Sequence, residues 1–345
     1  MSETASPSNE SAGPSPDLFF RTALAFQQSA ALKAAVDLGI FSAISEGKNA
    51  ASAIAQASSA SERGVRILCD YLCVLGFLNK AESSYKLTPD SALFLDRRSP
   101  AYLGGTLEFL QSAHLSEGSV NLTALVRRGG NLQPDGAAMA TENPSWVKFA
   151  RAMAPMMHMP AQLIAKLVNG SSTAPLKVLD LAAGHGLFGI AFAQSNPKAT
   201  IVFQDWANVL EVAKENARAT GVADRVSTLP GDAFKVDFGS GFDVVLLTNF
   251  LHHFDPATCE ALLKKVHAAL APRGRAVTLE FIPNPDRISP PTPATFALTM
   301  LTSTASGDAY TFEELKKMHL NAGFSRAEFH SLSPSPQGLV IGHRN

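Results

Sequence analysis

Hydrophobic positions recur at helical spacing over the first part of the chain. Gly39 interrupts the first such stretch, and Ser61 stands where an N-cap opens another. Two short apolar runs around a polar turn then predict a β-hairpin. Together they predict helices and a hairpin at Leu18–Leu38, Ala50–Ala57, Ser61–Leu75 and 77–88. Helices followed by a two-stranded wing are typical of a winged-helix unit.

From Pro175 onward, short apolar strands alternate with amphipathic helices. The predicted strands are Lys177–Leu181, Thr200–Gln204, Val226–Leu229, Phe242–Thr248 and Arg275–Ile282. The predicted helices are Leu187–Gln194, Ala207–Thr220 and Pro256–Leu270. Such alternation predicts a parallel sheet covered by helices on both faces. The fold class is therefore α/β, a Rossmann-like sheet preceded by a mostly helical domain.

Four segments follow from these patterns. We predict a disordered tail at 1–16, a winged-helix-like domain at 17–100, a helical linker at 101–170 and an α/β domain at 171–345. The tail lacks the features of a signal peptide, and no apolar run reaches the ~18 residues of a transmembrane helix. We therefore expect no membrane association. Three cysteines, an odd number, fit a reducing cytoplasm.

A winged helix raises the question of DNA binding, and the charge pattern argues against it. The chain has a formal net charge of -1. In the third predicted helix, Arg63 and Arg66 stand beside Glu62 and Asp70 rather than in a basic stripe. We therefore expect no nucleic acid partner, and we expect the apolar helices to pack against a second subunit.

A glycine-rich loop, Asp180-Leu-Ala-Ala-Gly-His-Gly186, follows the first predicted strand of the sheet, at an edge where ligands bind in such folds. The string from Gly184 to Gly189 also matches the G-x-G-x-x-G pattern of dinucleotide-binding enzymes. Asp180 favours a different ligand, because a carboxylate before the glycines repels a pyrophosphate but suits the amino group of a methionine moiety. Alanine at position 182 fits the turn if its φ is negative.

This loop resembles the D-x-G-x-G-x-G motif of class I S-adenosylmethionine-dependent methyltransferases, with Ala182 in place of the first glycine. The resemblance implies S-adenosyl-L-methionine as cofactor and S-adenosyl-L-homocysteine as product. Asp205 is placed to accept hydrogen bonds from the ribose hydroxyls, and Asp232 to accept one from the adenine amino group. The predicted cofactor contacts are Asp180, Ala182, Gly184, Gly186, Asp205, Trp206, Asp232, Ala233, Phe234 and Asn249.

The segment Leu251-His-His-Phe254 resembles the L-H-D-W segment of the plant-type and bacterial small-molecule O-methyltransferases, including the hydroxyindole and caffeate types. In that family the first histidine is the general base, which corresponds to His252, and a flanking carboxylate corresponds to Glu280. The family's second carboxylate falls at Ala309, next to Asp308. The resemblance covers nearly the whole chain and implies a homodimer formed through a dimerisation domain at 17–100. It also implies that the linker at 101–170 contributes to the substrate pocket and that 171–345 is the cofactor-binding catalytic domain.

The resemblance implies methyl transfer to a hydroxyl of a small aromatic molecule. Transfer to carbon or nitrogen stays the alternative, because a histidine base serves either reaction. Adjacent histidines rarely point at one ion, so we predict no metal site. In the resembled family, methionines sandwich a flat substrate, and an N-terminal helix closes the pocket of the partner subunit. The predicted substrate contacts are Phe19, Trp146, Phe149, Met153, Met156, Met157, His253, Phe281 and Met300.

Overall fold

The structure, a computed structural model, describes residues 13–112, 118, 120–131 and 143–345. Residues 1–12 of the predicted tail and parts of the predicted linker lie outside these ranges. The chain divides into two compact units, Met1–Gly105 and Thr106–Asn345. Within the described residues, no helix combines the length and the apolar character needed to cross a membrane. The three cysteines form no disulfide.

The first unit contains six helices and a hairpin in its described part. They are α1 (Asp17–Ala23), α2 (Ala25–Asp37), α3 (Ile40–Ser45), α4 (Ala51–Ala57), α5 (Glu62–Val74), β1 (Leu78–Ala81), β2 (Ser84–Leu87) and α6 (Pro89–Phe94). The helix predicted over Leu18–Leu38 is divided at Leu24, whose ψ of 2° leaves the helical region. Gly39 follows α2 in the left-handed conformation, and the Ser61 side chain caps α5, both as predicted.

The second unit is a seven-stranded sheet with helices. The helices that precede the sheet in the described part of this unit include α7 (Leu107–Leu110), α8 (Leu122–Arg128) and α9 (Pro144–Asn169). The strands are β3 (Leu176–Leu181), β4 (Ala199–Asp205), β5 (Val226–Pro230), β6 (Phe242–Thr248), β7 (Leu270–Glu280), β8 (Arg326–Ser331) and β9 (Gly338–His343). Between them lie α10 (Leu187–Ser195), α11 (Ala207–Ala219), α12 (Pro256–Ala269), α13 (Pro291–Ser303) and α14 (Phe312–Asn321).

The strand order is β5-β4-β3-β6-β7-β9-β8, and this order sets where a ligand can bind. The five strands from β3 to β7 are parallel, which confirms the Rossmann-like prediction. The last two strands were not predicted, and β9 runs antiparallel to β7 and to β8. After β5 the chain crosses back, so β6 joins β3 on its other side. The crevice at the carboxyl ends of β3 and β6 is thus the topological switch point of the sheet.

Both faces of the sheet are buried in the hydrophobic core. Val178 of β3 belongs to the cluster that includes residues of α9 and α10, whereas Leu179 and Leu181 belong to the cluster with α12 and α14. Alternate side chains of a strand point to opposite faces, so a strand covered on both sides reads as a continuous apolar run. This is why β3 could be recognised in the sequence, and the core fixes the loop that follows it.

A buried histidine of α14 makes the stability of the protein depend on pH. His319 is fully buried, with Nδ1 2.8 Å from the Leu315 carbonyl oxygen, and burial lowers its pKa to about 4. An unfolded histidine titrates near ~6.5, so this stabilisation is complete above that pH and is lost as the pH falls toward 4. Relative to His319→Gln, the wild type is expected to lose roughly 1.4 kcal/mol of unfolding free energy per pH unit in that window.

Urea unfolding of the wild type and of His319→Gln at several pH values between 4 and 7 measures the difference between their free energies of unfolding. The contributions of the other titrating groups are common to both proteins and cancel in this difference. The exposed His158 offers a matched control for the exchange itself, since His158→Gln should leave the free energy of unfolding at pH 7 close to that of the wild type. A difference between wild type and His319→Gln that does not vary with pH would contradict the prediction.

Candidate active site

The loop after β3 is a tight turn that needs left-handed backbone conformations. Ala182, Gly184 and Gly186 have φ values of 52°, 56° and 72°. The expectation of a negative φ at Ala182 is therefore wrong, because the turn places this alanine in a region that costs an L-residue about 1–2 kcal/mol. At Gly186 a Cβ would lie 2.9 Å from the Ala213 Cβ, so glycine is needed there for space as well.

Ala182→Gly is expected to raise the free energy of unfolding by about 0.5–1 kcal/mol. Glycine adopts this φ without strain, and the relief of strain exceeds the cost of the greater entropy of glycine in the unfolded chain. Chemical denaturation measures the change. The matched control is Ala183→Gly, one residue along, where the alanine is buried and its φ is not positive. That variant should lower stability by about 1 kcal/mol. A loss of stability in Ala182→Gly would count against the strained turn.

Asp180 lies at the end of β3 and is fully buried. Its Oδ2 accepts a hydrogen bond from the Gly189 N–H at 2.8 Å, which ties the strand to the first turn of α10. Its Oδ1 is buried and has no hydrogen-bond partner in the part of the chain that the structure describes. Burial raises the pKa of this carboxyl to about 8, and the charge of Asp205 adds to the shift. An unpaired buried carboxylate oxygen can accept a donor from a ligand.

The carboxyl end of β4 closes the same crevice. Asp205 Oδ2 accepts from the Gly184 N–H at 2.8 Å, and Asp205 Oδ1 accepts from the Trp206 N–H at 2.6 Å. Burial raises the pKa of Asp205 to about 6. A Cβ at Gly184 would meet no atom closer than 4.0 Å, so the space above this glycine is open. The open space above Gly184 lies next to the Asp205 carboxylate, and this arrangement fits a ribose and its hydroxyls.

Gln204 was not predicted from the sequence, yet it joins the three strand ends. Its side-chain Oε1 accepts from the Ala182 N–H at 3.3 Å, and its Nε2 donates to the Gly231 carbonyl oxygen at 2.5 Å. The residue is almost fully buried. A lone glutamine inside an apolar strand was the available signal, because a buried amide needs partners.

The loop after β5 carries the third predicted set of cofactor contacts. The Asp232 carboxylate accepts from the Phe234 N–H at 2.9 Å, and Ala233 is buried beneath it. The Phe234 ring packs edge-on against Phe254 with centroids 4.9 Å apart. Trp206, the N-cap of α11, packs against the small cluster of Ala150 and its neighbours. The structure thus brings Asp180, Asp205 and Asp232 to consecutive strand ends of one sheet edge.

His252 lies in a short 3-10 turn, Leu251–His253, directly after β6. Its Nδ1 is 2.5 Å from Oε2 of Glu280, the last residue of β7, and both side chains are buried. Glu280 Oε1 accepts from the backbone N–H groups of Phe250, Leu251 and His252 at 3.1, 2.9 and 3.3 Å. One carboxylate therefore fixes both the turn and the ring. With Nδ1 donating to Glu280, Nε2 is the nitrogen that can accept a proton.

The Asp308 carboxylate pairs with Arg287 and with a backbone N–H rather than with the His252 ring. Its Oδ2 lies 3.2 Å from Arg287, and its Oδ1 accepts from the Ala309 N–H at 2.8 Å. The Asp308 N–H donates to the His252 carbonyl oxygen at 3.0 Å. A Cβ at Gly307 would lie 2.2 Å from that same oxygen. This segment therefore supports the backbone of His252, and Glu280 is the carboxylate on its ring.

Aromatic rings surround the two histidines. The His252 ring lies edge-on to Phe296 at 4.9 Å, and Phe296 stacks on Phe281 at 4.2 Å. The His253 ring lies 6.2 Å from Trp146, whose other neighbour is Phe149 at 5.7 Å. Burial lowers the pKa of His253 well below its ordinary value, and the neighbouring His252 adds to this. The walls of this region are thus apolar and uncharged.

The methionines of α9 occupy different environments. Met157 is buried, with its Sδ 3.5 Å from Nδ2 of Asn249. Met153 packs against the core, whereas Met156 is 39% exposed and lies apart from it. In α13, Met300 is buried. Phe19 belongs to the first unit and is exposed there.

Asn249 has a partner that the sequence did not suggest. Its φ is 56°, and its Oδ1 accepts a hydrogen bond from Nε2 of the buried Gln337, which precedes β9. The two residues are 88 positions apart, so no local sequence pattern predicts their contact. Only the antiparallel strands at the end of the chain bring Gln337 beside the site.

Comparison with protein families gives two matches along the chain. Residues 135–325 match an O-methyltransferase domain, and residues 20–97 match an O-methyltransferase dimerisation domain. The 3-hydroxy-5-methyl-1-naphthoate 3-O-methyltransferase of Streptomyces sahachiroi is 26% identical over 331 residues, 95% of each chain. The L-tyrosine C(3)-methyltransferase of Streptomyces lavendulae is 25% identical over 205 residues, 58% of this chain and 56% of the relative.

Solved structures resemble the whole chain. A protein of Nostoc punctiforme provisionally named an O-methyltransferase is 54% identical, with a TM-score of 0.92 over 96% of this chain and 100% of its own. Human N-acetylserotonin methyltransferase, crystallised with S-adenosylmethionine, is 21% identical, with a TM-score of 0.83 over 98% of this chain and 100% of its own. At 21% identity, the likeness to the human enzyme shows a shared fold.

Proposed function

This chain belongs to the S-adenosylmethionine-dependent O-methyltransferase family, and from that premise we propose that it methylates a hydroxyl of a small aromatic molecule with His252 as general base. The observation that carries the proposal is the buried His252–Glu280 pair at the carboxyl ends of β6 and β7, next to the switch point of the sheet. Nδ1 is held by a carboxylate, and Nε2 has no hydrogen-bond partner among the described residues. A histidine so oriented is prepared to accept one proton at one nitrogen.

The proton and the methyl group move in one displacement. The cofactor, when bound, supplies a methyl group on a sulfonium centre. A phenol with a pKa of ~10 is only ~0.1% ionised at neutral pH, so its oxygen needs a base as it attacks. Nε2 of His252 would accept the hydroxyl proton as the hydroxyl oxygen attacks, and the sulfonium centre would give up the methyl group and keep the bonding electron pair on sulfur. Glu280 stabilises the resulting imidazolium through Nδ1.

We propose that the strand-end carboxylates hold the cofactor. The unpaired Oδ1 of Asp180 would accept from the amino group of the methionine moiety, and Asp205, beside the open space above Gly184, from the ribose hydroxyls. Asp232 would take the adenine amino group, with Phe234 or Trp206 against the base. The remaining proposed contacts are Ala182, Gly186, Ala233 and Asn249.

We propose that the aromatic residues around His252 hold the acceptor. Phe281, through its stack on Phe296, and Trp146 offer flat apolar surfaces, which suit a flat aromatic ring. The Trp146 Nε1 is buried without a partner among the described residues, so it can donate to a polar group of the acceptor. The further proposed contacts are Phe149, Met153, Met156, Met157, His253 and Met300. For Phe19 we keep the proposal that it closes the pocket of a partner subunit.

We propose a homodimer through the first unit. Five large apolar side chains of the first two helices and their junction are exposed: Leu18, Phe19, Phe20, Leu24 and Phe26. An exposed apolar patch of this kind is typical of an interface, and the match to a dimerisation domain supports it. The predicted segments 17–100, 101–170 and 171–345 remain our proposal for the functional division of the chain.

The acceptor can be found by incubating the protein with isotopically labelled S-adenosylmethionine and a panel of phenols, with mass spectrometry locating the new methyl. A methyl on oxygen supports the proposal. A methyl on a ring carbon would favour the second candidate, C-methylation, because one relative is named a tyrosine C-methyltransferase and a deprotonated phenol also activates its ring. Methyl transfer to amines alone would contradict the hydroxyl acceptor.

A further inference from the structure

A lysine of α12 reaches into the loop after β5, which carries Asp232 and Phe234. The Lys265 Nζ donates to the Ala233 carbonyl oxygen at 2.8 Å and to the Val236 carbonyl oxygen, and it lies 4.1 Å from the centroid of the Phe238 ring. The ammonium group is therefore directed toward the loop and is in direct contact with two carbonyl dipoles and a ring face, while the carboxylates of Asp232 and Asp237 act on its charge from a longer distance. Partial burial lowers the pKa of Lys265.

The loop is a tight turn whose carbonyl groups converge on that cation. The N–H groups of Lys235 and Val236 both donate to the Asp232 carbonyl oxygen at 2.9 Å. Gly231 has a φ of 132°, and a Cβ there would lie 2.5 Å from the Val236 Cγ1. Two carbonyl oxygens that point at one site repel each other, so the cation between them stabilises this conformation of the loop.

A single peptide unit connects Lys265 to the carboxylate of Asp232. The oxygen of the Ala233–Phe234 peptide accepts from Lys265, and the N–H of the same peptide donates to Asp232 Oδ1 at 2.9 Å. Hydrogen bonds at the two ends of one peptide polarise it in the same direction and strengthen each other. The lysine therefore acts on the orientation and charge of Asp232 without touching it.

We infer that Lys265 is a positioning residue for the adenine end of the cofactor site, holding Asp232 in the orientation that accepts from the 6-amino group. This inference rests on the proposed function, in which Asp232 contacts adenine. A lysine that only fastened α12 to the loop would contribute to stability and would leave base recognition unchanged. The two roles therefore differ in the discrimination between a 6-amino and a 6-oxo purine.

The test compares the affinities of S-adenosylhomocysteine and S-inosylhomocysteine, which carries a 6-oxo group, by calorimetry. The wild type should prefer the adenine ligand. Lys265→Met is expected to weaken S-adenosylhomocysteine binding about tenfold, or about 1.4 kcal/mol, while S-inosylhomocysteine binding changes little, so the preference falls by the same factor. The matched control is Lys264→Met, since Lys264 is the exposed neighbour on the same helix and should keep the wild-type preference.

Each outcome decides a different point. If the wild type binds neither ligand, the cofactor assignment and this inference both fail. If the wild type prefers the adenine ligand and Lys265→Met retains the full preference, the inference alone is wrong. Thermal unfolding checks that Lys265→Met folds. If it does not, Lys265→Ala, which removes the donors and leaves room for water beside the loop, takes its place, and a wild-type preference in that variant overturns the inference.

Discussion

His252→Ala is expected to lower kcat for a phenolic acceptor by roughly 10²–10⁴, the contribution of a positioned general base. The affinity for S-adenosylmethionine should change little, because the proposed cofactor contacts come from the strand ends before the His252 turn. The physical reason is the geometry of the pair, in which Glu280 holds Nδ1 at 2.5 Å and leaves Nε2 to accept the proton. Steady-state kinetics with the best acceptor of the panel, combined with calorimetry for the cofactor, measures the two quantities.

The matched control for this variant is His158→Ala, which removes an exposed imidazole on α9 and should leave kcat unchanged. Raising the pH should partly rescue His252→Ala, since the phenol then ionises without a base. A kcat within threefold of the wild type would remove His252 from the role of base. A parallel loss of cofactor binding would instead indicate a structural role for the turn.

Asp205→Ala is expected to weaken S-adenosylmethionine binding by roughly 10²-fold or more. The variant removes the proposed acceptor of two ribose hydroxyls, and hydrogen bonds to a charged group contribute about 1.5–3 kcal/mol each. It also removes the acceptor of the Gly184 N–H, next to the open space above that glycine. Asp205→Asn keeps one oxygen acceptor in the same place, so its loss should be smaller than that of Asp205→Ala. Calorimetric titration with the cofactor measures both.

Asp224, an exposed aspartate between α11 and β5, provides the control for charge, and Asp224→Ala should bind the cofactor as the wild type does. The kcat of Asp205→Ala at saturating cofactor should stay within a fewfold of the wild type, because the proposed base and the proposed acceptor site are left unchanged. Unchanged affinity in Asp205→Ala would contradict the ribose assignment.

Much of the parallel sheet could be predicted because its signals are local. Strands covered on both faces are continuous apolar runs, and the residues after them are read directly from the chain. Since the carboxyl ends of parallel strands meet at one edge, Asp180, Asp205 and Asp232 could be expected there together. His252 and Glu280 follow the same rule at the ends of β6 and β7. The parts that failed involve local conformation, such as the break at Leu24 and the positive φ of Ala182.

From local signals alone, the fold class, the order of the five parallel strands and the residues at their ends could be predicted, because hydrophobic periodicity and turn residues act over a few positions. The tertiary structure alone decided which side chains meet across long separations. In the folded chain β9 pairs antiparallel with β7, and Gln337 donates a hydrogen bond to Asn249. Gln204 connects the loops after β3 and β5, and Lys265 donates to the loop that carries Asp232. Asp308 likewise forms an ion pair with Arg287. Such contacts depend on the direction of each side chain in the packed core, which no spacing along the chain encodes.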